Sequence, residues 1–397
     1  MARIQLEHIR KTFTHGKVVA LDDISLDIRD NEFFVLFGPA GAGKTTILNN
    51  IAGIQVPDQG VVKIGGEVVN LIDPPHRNTA MVFENYALYP QMTVYDNIAS
   101  PLRSKLYKTD EKKIDEKVHE VAKIMGMENL LERLPAQLSN GQKQRVALGR
   151  ALVRTPNVYL MDEPLAHLDA KLRNAMRTEL KMIQRNFNTT TVYVTHDFME
   201  AMALGDRIAI INKGKIIQIG IGDEIYYMPA NEFVSQLMGD PEINIIPCTL
   251  KKSGSGFSVT LKADNTTYEL PQDDNLFKKL ASCSLEDIDL GLRPQNLSYS
   301  FEPVQGALSC TVYGYESIGN KSVITAQIGD KQLRLLAPNG LSVKIDSPVY
   351  VSLDLGHGMF FNSEDKKFIA RYDEQSVMKL VEAAKQKIKA KEEKEKQ

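Results

Sequence analysis

Phe33-Phe-Val-Leu-Phe37 runs directly into Gly38-Pro39-Ala40-Gly41-Ala42-Gly43-Lys44-Thr45, and Thr46-Ile-Leu-Asn-Asn-Ile-Ala-Gly-Ile54 follows. The first five residues form a short, wholly apolar run, the signal of a strand buried on both faces. The last nine carry a helical pattern. Between them lies GxxxxGK[ST], so strand, glycine-rich loop and helix come in the order that a phosphate cradle requires. Glycines allow successive main-chain N–H groups to converge on phosphate oxygens, and the start of the helix adds its positive dipole end. Lys44 is then placed to neutralise β and γ phosphates, and the Thr45 hydroxyl to bind Mg2+. An ordinary glycine-rich strand-to-helix turn can show the same eight residues; correct flanks on both sides favour the cradle.

Outward from this stretch, Val158–Met161, Thr191–Val194 and Arg207–Ile211 are further short apolar or β-branched runs separated by long helical patterns. That rhythm predicts an α/β layer with a largely parallel sheet over residues 1–238. From about Leu106 to Leu134 the pattern is continuously helical and charged, an insertion within a helical subdomain of about residues 88–155. After Gly239 the texture changes to short alternating strands with Gly, Asn, Asp and Ser turns, which predicts a separate all-β domain, sandwich or small barrel, over residues 239–373. Residues 374–397 space Val377, Val381, Ala384 and Ile388 helically before dissolving into Lys and Glu, as a solvated terminal helix does.

Composition bounds the chemistry. The 397 residues are 43% hydrophobic and 25% charged, enough for two or three folded domains and too apolar for wholesale disorder. Forty-eight basic against fifty acidic residues leave a net charge of -2, so no overall field holds a nucleic acid backbone, and a nucleic acid partner is not expected. Cys248, Cys283 and Cys310 are odd in number and widely spaced, which excludes a disulfide scaffold. With neither a signal-peptide core nor a membrane-spanning run, the chain is expected in the cytosol.

Two more strand ends carry chemistry. Val158-Tyr-Leu-Met-Asp162-Glu163 ends in adjacent carboxylates; alternation along a strand turns Asp162 toward Mg2+ and Glu163 toward an attacking water, for which it is the candidate general base. Thr191-Val-Tyr-Val-Thr-His196-Asp197 places a histidine at another strand end, where it can hold a γ phosphate and the water; alone, it reads first as a hydrogen-bonded structural histidine.

Together with Leu138-Ser139-Asn140-Gly141-Gln142 opening a helix between them, these pieces resemble the ATP-binding cassette (ABC) ATPases. LSNGQKQRVALGRALVRTPNVYLMDEPLAHLDAKLR (Leu138 to Arg173) is similar to that family's signature, nucleotide-binding strand and D-loop, and MVFENYALYP (Met81 to Pro90) to its Q-loop. The resemblance spans residues 3–238; the linker MPANEFVSQLMGDPEINIIP and Gly291-Leu-Arg-Pro-Gln295 resemble the carbohydrate-importer branch, the maltose or glycerol-phosphate type. It implies a P-loop NTPase cassette followed by an OB-like β domain used for dimerisation and for binding regulators. It also implies a head-to-tail dimer sandwiching two Mg2+-bound ATP molecules between one subunit's phosphate loop (Gly38 to Thr46) and the other's Ser139, Asn140, Gly141 and Gln142. Phe13 would then stack on adenine, the bland alternative being a core phenylalanine, and Asp169 would link the two sites. Tyr86 to Pro90 would receive a transmembrane permease, itself served by an extracytoplasmic solute-binding protein.

Four positions in three motifs depart from the family pattern. Glu84 stands where the Q-loop has glutamine; its oxygen can still meet Mg2+ or water, but a carboxylate near a γ phosphate adds repulsion, about 4 kcal/mol for unit charges roughly 4 Å apart at an effective dielectric near 20. Asn140 replaces a glycine, and asparagine tolerates left-handed backbone best among non-glycines. Ala166-His167 replaces Ser-Asn, removing a hydroxyl. Either an active homodimer or half of a heterodimer accommodates these changes. The leading expectation is the ATP-hydrolysing subunit of a carbohydrate, polyol or sugar-phosphate importer. The alternative is a soluble ABC ATPase acting on nucleic acid or ribosomes, which would ordinarily carry two cassettes or a long coiled-coil insertion.

Overall fold

The computed structural model describes residues 2–105, 109–254, 256–283, 285–319 and 321–394. Leu106, where the charged insertion was expected to begin, and the last three residues of the tail lie outside these. The chain forms two compact units, Met1–Gly222 and Asp223–Gln397.

The first unit runs β1 (Ile4–Phe13), β2 (Val18–Ile28), β3 (Phe33–Phe37), α1 (Lys44–Ala52), β4 (Gln59–Ile64), β5 (Glu67–Val68) and β6 (Thr79–Val82). It continues through α2 (Val94–Ala99), α3 (Glu111–Ile124), α4 (Asn140–Leu152), β7 (Val158–Asp162), α5 (Ala170–Phe187), β8 (Thr190–Thr195), α6 (Phe198–Leu204), β9 (Arg207–Asn212) and β10 (Lys215–Gly220). The six-stranded sheet has the order β10-β9-β3-β8-β7-β6. Its pairings β3·β8, β3·β9, β6·β7 and β7·β8 are parallel, and only the edge hairpin β9·β10 is antiparallel. β3 and β7 are buried at every position, as strands covered on both faces must be. The phosphate-loop strand β3 is central, so the loop after it opens at the carboxyl ends of its neighbours, the position where open α/β sheets bind ligands.

A separate four-stranded antiparallel sheet, β2-β1-β4-β5, shares one apolar core with the parallel sheet and α1. The helical insertion is shorter than its charge pattern suggests. α3 stops at Ile124, because Gly126 takes a left-handed φ of 58°, and the rest runs through 3-10 turns at Glu128–Leu130 and Pro135–Gln137.

The second unit holds α7 (Gly222–Tyr227), whose first residue closes the first unit, then α8 (Glu232–Leu237), β11 (Asn244–Ser253), β12 (Gly256–Leu261), β13 (Thr267–Glu269), α9 (Asp274–Cys283), β14 (Asp287–Leu292) and β15 (Leu297–Ser300). It ends with β16 (Leu308–Ile318), β17 (Lys321–Ile328), β18 (Lys331–Ala337), β19 (Pro348–Leu353), β20 (Met359–Asn362), β21 (Phe368–Arg371) and α10 (Glu374–Lys394). Two antiparallel sheets, β13-β12-β11-β14-β20-β21 and β15-β19-β16-β17-β18, face one apolar cluster that includes Val259, Leu290, Val312, Ile324 and Phe360. Helix α9 adds Leu276, Phe277 and Leu280 to that core, a helical spacing inside a region that otherwise reads as strands.

The contact boundary therefore precedes the change of texture at Gly239. The reason is hydrogen bonding: Arg293 of the β unit donates to Tyr226 O and Met238 O, Arg371 to Tyr227 O, and Phe368 N–H to Ala230 O. The segment of α7 and α8 is thus tied to the strands that follow it.

Candidate nucleotide site

The loop from Gly38 to Gly43 is shaped by close approaches. A Cβ on Gly43, whose φ is 106°, would lie 2.6 Å from Ala20 O, and one on Gly38 would collide with the Ile211 carbonyl. Only glycine fits either place. Not every loop N–H points outward, since Ala42 N–H turns back to Pro39 O at 3.2 Å.

Lys44, at the head of α1, is 5% exposed, and its Nζ donates to Gly38 O at 2.8 Å and Pro39 O at 2.9 Å. Burial lowers its pKa, while the fields of Glu163, Asp162 and Glu84 raise it. Three acids picked out from two separate parts of the sequence thus gather around one ammonium. Asp162, 3% exposed, is pushed up to about 6, first by burial and then by Glu84 and Glu163, against the Thr45 hydroxyl that donates to it and the Lys44 charge. Its Oδ1 has no hydrogen-bond partner among the described residues. An orphaned carboxylate oxygen beside a hydroxyl is a hard-oxygen donor set, and it fits Mg2+, which takes one or two protein oxygens and completes its shell with phosphate and water.

Glu163 is oriented by something other than strand alternation. β7 ends at Asp162, and Glu163 has a φ of 46°, a left-handed backbone rare for a residue with a side chain. This turn brings its Oε2 within 2.9 Å of His196 Nδ1. The histidine, just past β8, therefore contacts the candidate base itself. His196 is 61% exposed in its side chain and Glu163 18%, so the pair sits at the mouth of the site with the carboxylate inward.

The remaining expected residues occupy defined places. Ser139 caps α4: its Oγ accepts from Gln142 N–H at 3.3 Å, and Gln142 Oε1 accepts from Ser139 N–H at 2.9 Å. Asn140 is the first residue of α4 and has no positive φ, so its tolerance of left-handed backbone is not used; Gly141 follows it within the helix. Asp169 caps α5 by accepting from Leu172 N–H at 2.9 Å. Phe13, at the end of β1, is 36% exposed with Lys11 Nζ over its ring, 5.8 Å from the centroid, and its exposure removes the core reading. Glu84 is exposed. Tyr86 and Ala87 have φ of 65° and 46°, held by Arg150, which donates to Ala87 O at 2.7 Å and Tyr86 O at 3.0 Å.

Sequence reading missed Gln144. It is 2% exposed, donates to Glu163 O at 3.2 Å and accepts from His167 N–H at 3.1 Å, and so pins the general-base turn to the D-loop. A signal was present: Gln144 shares the spacing of Ala147, Leu148 and Ala151, a polar residue on a buried helical stripe. Arg150, on the same helix, was missed as well.

Similarity to known proteins agrees with this geometry. Residues 21–166 match the family model described as ABC transporter. The chain is 43% identical over 342 residues to the trehalose/maltose import ATP-binding protein MalK of Thermococcus litoralis, covering 83% of this chain and 89% of that protein. The chain belongs to the ABC transporter ATP-binding family. Within this ABC family it is also 47% identical over 298 residues to the trehalose import ATP-binding protein SugC of Mycobacterium tuberculosis, covering 75% and 73% of the two chains. To the sn-glycerol-3-phosphate import ATP-binding protein UgpC of Brucella abortus it is 45% identical over 275 residues, covering 69% and 78%. Among solved structures, the dimeric post-hydrolysis state of the ATP-binding cassette MJ0796 bound to ADP and Pi aligns with a TM-score of 0.51 at 30% identity, over 55% of this chain and 98% of that one. The chain is an ABC ATPase, and its cassette binds ATP.

Proposed function

We propose that this ABC ATPase energises a membrane importer for a carbohydrate, polyol or sugar phosphate, with ATP as a removable clasp between two cassettes. The observation that carries it is the gathering of Lys44, Thr45, Asp162 and the Glu163–His196 pair at the carboxyl ends of β3, β7 and β8. Lys44 exchanges its two loop carbonyls for β and γ phosphate oxygens; Thr45 and Asp162 are the residues that would hold Mg2+, and the ion would supply charge neutralisation of the phosphates. Glu163 takes the proton of the attacking water, and His196 fixes the Glu163 carboxylate. The Ser139-capped tip of α4 supplies the partner subunit's half of the site, a helix N-terminus suited to phosphate. That partner is a second copy or a related chain.

Coupling to a permease is supported by a cavity of about 520 Å³ lined by Phe83, Ala87, Tyr89, Pro101, Arg150 and Arg154. It adjoins the expected Tyr86–Pro90 contact, and Arg150 ties the nucleotide-side helix α4 to its wall. Among the described residues no helix is long and apolar enough to cross a membrane. In this reading the chain works at the cytoplasmic face with multi-span partners and, indirectly, a solute-binding protein. The test is reconstitution: the chain should co-purify with multi-span permeases and hydrolyse Mg-ATP in a Glu163-dependent way. Co-purification with ribosomes instead would overturn the importer reading, and a Glu163→Gln chain that stays monomeric with Mg-ATP would overturn the clasp.

A further inference from the structure

The second unit contains a cavity of about 330 Å³ lined by Tyr226, Arg293, Gln295, His357, Arg371 and, from α10, Leu380. Both arginines are almost fully buried, 4% and 5% exposed. Arg293 donates to Met238 O and Tyr226 O, each at 2.6 Å, and its guanidinium carbon lies 3.5 Å from the centroid of the Tyr226 ring. Its Nε has no hydrogen-bond partner among the described residues. Arg371 donates to Tyr372 O at 3.0 Å and Tyr227 O at 2.9 Å. Every hydrogen bond described for the two therefore ends on a main-chain carbonyl, not on a carboxylate.

Acids do stand nearby. Asp373, which lines the cavity, and the buried Glu374 both attract Arg371; Glu374 Oε1 bonds Lys279 at 2.6 Å while its Oε2 has no hydrogen-bond partner among the described residues, Asp354 is engaged with His357 at 2.8 Å, and no acid hydrogen-bonds either arginine. Burial still dominates, lowering the pKa of both guanidinium groups, Arg293 to about 10. Two buried cations on one cavity call for a counter-charge, since carbonyl hydrogen bonds offset desolvation only in part. Guanidinium groups match phosphate and carboxylate oxygens, often in pairs of hydrogen bonds. The rest of the wall mixes an aromatic face with the Gln295 amide and the His357 imidazole, groups that meet hydroxyls and a small carbon frame. The volume lies at the lower end of small-molecule sites and exceeds what a bare inorganic anion fills.

We propose that this cavity is a second anion site of the chain, separate from the nucleotide cradle, and that it binds a small phosphorylated metabolite between Arg293, Arg371 and the first turns of α10. The site goes beyond the transport reading and does not depend on it.

The test is calorimetric titration of the full-length chain with its cradle saturated by Mg-ADP, so that Lys44 is not a competing anion site. Glucose 6-phosphate and glycerol 3-phosphate are the probes, with glucose and inorganic phosphate as comparisons. At least one phosphorylated probe should bind one per chain and at least tenfold tighter than either comparison. Arg293→Lys should weaken it tenfold or more. Because Arg293 also braces the α7–α8 segment, Ser376→Glu serves as the second variant: this exposed residue lines the cavity, and the new charge should repel the anion to a similar extent. Binding unchanged in Ser376→Glu, glucose as tight as its phosphate, inorganic phosphate as tight as both organic probes, or no binding at all would each overturn the proposal. Mg-ADP saturation is measured in the same samples, so a failure of the ATPase assignment is seen separately.

Discussion

The nucleotide cradle in the first unit meets an anion with main-chain N–H groups and one lysine, whereas the Arg293–Arg371 cavity in the second is built to meet one with side chains alone. The first is contiguous: Gly38 to Thr45 supplies strand end, loop and helix tip in eight residues, and Lys44 is charge-matched by carboxylates arriving from β7 and the Q-loop. The second draws on Tyr226, Arg293, His357, Arg371 and α10, which only the fold brings together. Where the counter-charges lie also differs. Lys44 sits among acids that hold a cation, and Arg293 among carbonyls and a ring. The chemistry proposed for the first site is thus phosphate together with Mg2+, and for the second an anion by itself.

The sharpest way to break the first half of this comparison is Glu163→Gln. Turnover should fall by roughly 10²–10⁴, the range of a positioned general base, while nucleotide binding holds within a few-fold and an ATP-bound dimer accumulates. Steady-state hydrolysis and gel filtration with Mg-ATP measure both; undiminished turnover would remove the base assignment.

Asp162→Asn comes next and tests the acids as a cation site. In the unfolded chain this carboxyl has its ordinary value of 3.8, whereas in the native, nucleotide-free chain it is about 6. Between those values the native state binds the extra proton, so its contribution to stability is greatest below about pH 4 and is lost as the pH rises through 6. At pH 7.5 the ionised, buried group costs on the order of 3 kcal/mol. Asp162→Asn should therefore raise the melting temperature at pH 7.5, leave it nearly unchanged at pH 4, and abolish the Mg2+ dependence of nucleotide affinity. A pH-independent shift would mean the aspartate is not strained in the way its burial implies.

These residues also show where reading the chain stopped working. Gly38 to Thr45, Asp162 and Glu163 were legible because local strand-to-helix chemistry restricts which residues can occupy a phosphate loop and a strand end. The left-handed turn at Glu163 was not, since alternation along β7 suggested another way to aim the same side chain. Gln144 was hidden within a motif rich in polar residues, its importance arising from the D-loop it touches across 23 positions of sequence. The contact boundary at Gly222 falls before the change of composition at Gly239 because Arg293 and Arg371 reach back to carbonyls that precede it. In the last two cases what was lost was a long-range hydrogen bond.

Gln144→Ala tests that class of contact. It leaves Glu163 O and His167 N–H without the bonds they now make, a loss of roughly 0.5–1.5 kcal/mol per bond, since both groups are only partly buried. Because Gln144 positions the base turn and meets no substrate, kcat should fall about tenfold with KM for ATP unchanged. A rise in KM with kcat intact would assign it to binding.

Glu84→Gln should have the smallest effect and decides how far the acids around Lys44 act as one group. Glu84 is exposed, so water and salt screen its repulsion of a γ phosphate well below the pairwise value expected for close charges. Its field nevertheless reaches both Lys44 and Asp162, raising the pKa of each. Removing the charge should lower the Asp162 pKa and favour its ionised, Mg2+-binding form near pH 6, while hardly altering it at pH 8, where Asp162 is already ionised. The expected result is a rise in turnover of two- to three-fold at pH 6 that vanishes at pH 8. A rise of equal size at both pH values would mean that Glu84 acts on the phosphate directly, and no change at either would make its charge irrelevant to the site.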